Sequence, residues 1–120
     1  MGITMYKKLI AACLLCLVLN AHAGFTSGND LVKFLQEYEN RNLIDRPINL
    51  IEIGHLVGYV AGVSDTANRA LFCLPQSTNI VQVIAVVSQF LKSNPARWAE
   101  PANVLVVEGL VKAFPCGANK

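Results

Sequence analysis

Ile48-Asn49-Leu50-Ile51-Glu52-Ile53-Gly54-His55-Leu56-Val57-Gly58-Tyr59-Val60-Ala61-Gly62-Val63-Ser64-Asp65-Thr66-Ala67-Asn68-Arg69-Ala70-Leu71-Phe72 contains no proline and carries apolar residues on nearly every helical turn. Such a stretch predicts one long, mostly buried helix with a thin polar stripe. Gly58, Gly62 and Asp65 fall on one side of it at spacings of four and three. A glycine inside a helix costs up to about 1 kcal/mol relative to alanine, so two of them imply close approach by another backbone or a local kink. Asp65 and Arg69, at i and i+4, predict an internal ion pair, with capping of a neighbouring helix as the other structural role for Asp65.

Cys73-Leu74-Pro75 stops this core helix. Upstream, Ser27 three residues before Asp30 is a capping-box-like start, followed by Leu31, Phe34, Leu35 and Tyr38 on one face, which predicts a helix over about 28–41. Downstream, Gln76-Ser77-Thr78-Asn79 caps a helix over about 79–92 whose inner face is Ile80, Val83, Ile84, Val87, Phe90 and Leu91. Its β-branched residues would also suit a strand, and the period and caps decide for helix. Asn94-Pro95 ends it. Pro101 fits a first helical position, and Val104, Val107, Leu110, Val111 and Phe114 would line a last helix, with Glu108 and Lys112 paired at i, i+4. Pro115-Cys116 closes the chain's ordered pattern. The expected fold is all-α: a small bundle of four helices joined by short loops.

The chain has 120 residues, 53% of them hydrophobic and 15% charged, a balance far from that of disorder. Lys7 and Lys8 precede the apolar run Leu9 to Leu19, and Ala21-His22-Ala23 offers small residues for cleavage, so residues 1–23 read as a secretory signal peptide. The run is too short to span a bilayer, and Ile10-Ala11-Ala12-Cys13 leaves too little apolar chain before Cys13 for a lipoprotein signal. Cleavage would leave residues 24–120 as one exported domain with no membrane segment. The signal carries two of the ten basic residues and none of the eight acidic ones, so the mature chain balances eight against eight. No basic cluster remains to hold nucleic acid. Of four cysteines, Cys13 and Cys16 leave with the signal, and Cys73 and Cys116 in an exported domain read as one disulfide. It would join the ends of the second and fourth helices and contribute about 4 kcal/mol in the chain-entropy model.

Glu52 and His55 lie on one side of the core helix, but no nucleophile accompanies them, and a solvent-edge histidine beside a glutamate is an ordinary structural pair. There is no glycine-rich phosphate loop, no metal-ligand cluster and no cofactor motif in the sequence, and the chain reads as non-enzymatic. The segment Lys92 to Glu100 holds Arg97-Trp98 between Asn94 and Glu100, residue types enriched at protein-binding hot spots. Asn94, Arg97, Trp98 and Glu100 are therefore the expected partner-binding residues; the alternative is that Trp98 folds back over the bundle as a lid.

Four pieces in order extend this reading: Gly58-Tyr59-Val60-Ala61-Gly62-Val63-Ser64-Asp65, then Phe72-Cys73-Leu74-Pro75, then Phe90-Leu91 to Asn94-Pro95, and finally Ala113-Phe114-Pro115-Cys116. Together they resemble the Rap/Tai family of type VI secretion immunity proteins. The resemblance makes Gly58, Tyr59, Gly62, Asp65, Pro75 and Pro115 motif positions. It implies a periplasmic, homodimeric helical protein that binds and blocks a secreted peptidoglycan amidase. Relatives carry a second cysteine pair where this chain has Leu35 and Leu56, so an apolar contact would replace that crosslink. Two other classes fit the composition, a small periplasmic acid-stress chaperone and an accessory subunit of an envelope complex. The low charge content argues against the chaperone.

Overall fold

A computed structural model of the protein describes residues 2–7 and 24–117. Residues 2–7 are helical, and the rest of the expected signal peptide, with Cys13 and Cys16, lies outside the described residues. Four α-helices follow: α1 (Gly28–Glu39), α2 (Leu50–Ala67), α3 (Ile80–Ser93) and α4 (Ala102–Ala113), with a 3-10 turn at Pro95–Arg97 between the last two. There are no strands among the described residues, and the expected all-α bundle is present. No helix there is long and apolar enough to cross a membrane.

Two helices start as their sequences predict. Ser27 and Asp30 form a reciprocal capping box on α1, and Asn79 and Gln82 form another on α3. Pro101 stands one position outside its expected place, as the residue that caps α4. α1 packs chiefly on α2 and α3 on α4. The shared core is built from Leu31, Leu35, Leu56, Val60, Ile84, Val87, Leu91, Leu105, Val106 and Leu110, with Phe72 folded in from the loop after α2. Leu35 and Leu56 are both buried there. The disulfide Cys73–Cys116 closes the bundle beyond the C-terminal ends of α2 and α4, beside a backbone hydrogen bond from Cys73 to Phe114.

The structure corrects three expectations. The core helix ends at Ala67, not Phe72: Arg69 takes a left-handed φ of 69°, its amide donates to the Phe72 carbonyl at 2.6 Å, and the turn carries Phe72 back into the core. Burying a phenylalanine outweighs the roughly 1–2 kcal/mol of a left-handed residue. Asp65 is exposed and makes no pair with Arg69, which now lies outside the helix. Secondly, α2 buries only the stripe Leu56, Val60, Ser64 and Ala67, where Ser64 Oγ has no partner, so it is far less enclosed than its composition implied. Thirdly, α4 faces the core with Ala102, Leu105, Val106, Gly109 and Leu110, while Val104 and Val111 are exposed. Glu108 pairs with Arg97 instead of Lys112.

Candidate functional site

The corner between α3 and α4 gathers Asn94, Arg97, Trp98 and Glu100, and gives each an internal partner. Asn94 donates its side-chain amide to the Phe90 carbonyl at 2.8 Å, and the Trp98 indole N–H donates to the Leu91 carbonyl at 2.8 Å. Trp98 is half-buried against the core, the lid arrangement. Arg97 forks onto Glu100 at 2.8 and 2.7 Å and also reaches Glu108. Those bonds drive the Glu100 carboxyl below its ordinary range and the guanidinium above its own. The corner is also tied to the start of α1, where Gly28 and Asn29 donate to the carbonyls of Glu100 and Trp98.

The glycines of α2 lie open. A Cβ built at Gly54, Gly58 or Gly62 meets nothing within 4 Å, so among the described residues no backbone approaches the expected contact face. The close approaches occur elsewhere: at Gly28 a Cβ would stand 2.5 Å from Leu105 Cδ1 and 2.7 Å from the Trp98 carbonyl oxygen, and at Gly109 it would stand 3.0 Å from Phe90. The open α2 face borders a shallow groove of about 580 Å³, lined in part by Phe25, Phe34, His55, Gly58 and Tyr59. His55 meets Phe34 edge-on with ring centroids 5.4 Å apart, and Glu52 is engaged by Lys33 at 2.6 Å, so these two residues do not form a pair with each other. Tyr59 is half-buried; burial pushes its hydroxyl up, against a smaller opposing effect of the Asn103 backbone. No group of three or more metal-ligating side chains converges among the described residues.

Sequence reasoning missed the end of the bundle opposite the disulfide. Between α1 and α2, and on the first turn of α2, Leu43, Ile44, Ile48, Leu50 and Ile51 are all exposed. The pattern of the sequence places Ile48, Leu50 and Ile51 in the mostly buried core helix, but that helix starts at Leu50 and its first turn faces solvent. The loop leaves α1 at Glu39, whose carboxylate accepts from Lys92 and Ser88 of α3, so it starts next to the residue that opens the corner. Residues 27–116 match the family model described as Rap1a immunity proteins, a span reaching from the α1 cap to the second disulfide cysteine. No curated protein matches the chain.

Proposed function

The chain belongs to the Rap1a immunity proteins, and from that premise we propose that it is a periplasmic, stoichiometric inhibitor of a peptidoglycan amidase delivered by type VI secretion. The observation that carries this is the extent of the family match, which takes in all four helices and both bonded cysteines. It acts by occupying the effector's cleft, with no turnover. The Cys73–Cys116 disulfide supports an oxidising compartment, to which the signal-like first 23 residues would deliver the chain.

Asn94, Arg97, Trp98 and Glu100 flank the effector contact in this reading, where the Arg97–Glu100 pair and the bonds of Asn94 to Phe90 and of Trp98 to Leu91 hold the corner rigid. The open face of α2 is the proposed contact between two copies. In an antiparallel crossing centred between Gly58 and Gly62, each glycine opposes the other glycine of the second copy, and each His55 opposes an Asp65. Sedimentation of the purified chain tests the dimer. The function itself is tested by producing the amidase in the periplasm with and without this chain. Restored growth is expected, and lysis at the same rate in both strains refutes the reading.

A further inference from the structure

We propose that the loop between α1 and α2, with the first turn of α2, is the segment that enters the effector's cleft, presenting five exposed aliphatics around the unpaired carboxylate of Asp45. This rests on the immunity reading and names its contact. Leu43, Ile44, Ile48, Leu50 and Ile51 are 57, 97, 49, 73 and 73% exposed within nine consecutive positions. On α3 and α4, by contrast, large aliphatics reach solvent at scattered positions, Val81, Val104 and Val111. Single exposed aliphatics are ordinary; a contiguous set marks a surface that something else covers.

The segment is held in shape for such a role. Leu43 donates its amide to the Asn40 carbonyl at 3.1 Å, Arg41 lies 4.0 Å over the Tyr38 ring and bonds its carbonyl, and Arg46 is anchored to Glu37. Pro47 fixes the next dihedral, and the Asn49 side chain caps α2 by accepting from Glu52 at 3.2 Å. An ordered loop loses less freedom on binding than a slack one.

Charge selects the occupant. The cations at this end are taken: Lys33 by Glu52, Arg46 by Glu37, Arg41 by Tyr38. Asp45, exposed, is the loop's one charge with no partner among the described residues. An anionic bilayer would require unpaired lysine or arginine, and a carboxylate at the tip opposes insertion. A second copy using the same patch would set Asp45 near Asp45 about the two-fold axis. A protein cleft with apolar walls and a cationic or N–H donor satisfies both features, and that is the chemistry needed to bind the carboxylate-bearing peptides of peptidoglycan. Asp45 would take the place of a substrate carboxylate, and the aliphatics would seal the cleft around it.

The test is calorimetry of residues 24–120 against a peptidoglycan amidase secreted by the type VI system of the producing cell. The variants are Leu43→Ser with Ile44→Ser, Asp45→Lys, and Val81→Ser as an exposed aliphatic outside the loop. Each loop variant should bind at least about 30-fold more weakly, the ratio of a hot-spot residue, with Val81→Ser and all melting temperatures near wild type. Wild-type affinity in the loop variants would overturn this inference and leave the immunity reading standing. No binding by the wild-type chain would overturn the immunity reading itself. Loop-dependent co-sedimentation with phosphatidylglycerol vesicles would make the occupant a bilayer and overturn the proposal.

Discussion

Gly28 shows what one hydrogen atom in place of a methyl group can decide. The first residue of α1 rests on the segment that precedes α4, donating its amide to the Glu100 carbonyl at 2.9 Å, and there is no room for a Cβ between Leu105 and the Trp98 backbone. Because two of the three nearest atoms are backbone, relief requires moving the corner itself. Gly28→Ala should therefore destabilise by about 1–3 kcal/mol, lowering the melting temperature by several degrees. Gly54→Ala, on α2 where a Cβ meets nothing within 4 Å, should instead be neutral or stabilise by up to about 1 kcal/mol through helix propensity. Thermal melts of the two variants check both, and equal losses would contradict this placement. The sequence pointed to Gly58 and Gly62 because a glycine inside a helix carries a cost that asks for a reason. Gly28, beside a cap, looked like punctuation. Spacing identifies which glycines share a face, and only packing tells which face another backbone meets.

The helices divide by how well their inner faces could be read. α1 and α3 have polar residues on one side and reciprocal capping boxes at their starts, so their ends and inward positions were legible. α2 and α4 are apolar nearly all round, and a period cannot be extracted where every position satisfies it. The turn after Ala67 was hidden for a related reason: burial of Phe72, a long-range event, ends the helix there. α1 and α3 are held together at one end by Glu39, which accepts from Lys92 at 2.6 Å and Ser88 at 2.9 Å. Partial burial opposes ionisation of this carboxyl, but the two hydrogen bonds outweigh it and hold it below its ordinary value of 4.5. A carboxyl depressed in the native state contributes stability that is complete above the unfolded value and is lost as pH falls through the native one. The wild-type melting temperature should exceed that of Glu39→Gln at neutral pH, and the gap should shrink as the pH is lowered through the acid range. A gap unchanged from neutral to acid would contradict it.

The whole molecule has two unlike ends. At one, Cys73 and Cys116, 43 residues apart, close the chain beyond the ends of α2 and α4; that bond was legible because only these two cysteines lie outside the signal-like first 23 residues. At the other, the connection from α1 to α2 carries an apolar surface that the chain itself leaves uncovered, and composition gave no hint of it because exposure belongs to the folded state. A covalently closed end and an open apolar end suit a protein that works by filling a partner's cleft while keeping its own shape. That mechanism has a stoichiometric signature. Titrating purified residues 24–120 into the proposed amidase target and following peptidoglycan hydrolysis should give a rate that falls in proportion to the chain added and reaches zero at one copy per amidase. Full amidase activity in a large excess of the chain, or complete loss at a small fraction of equivalence, would contradict inhibition by occupancy.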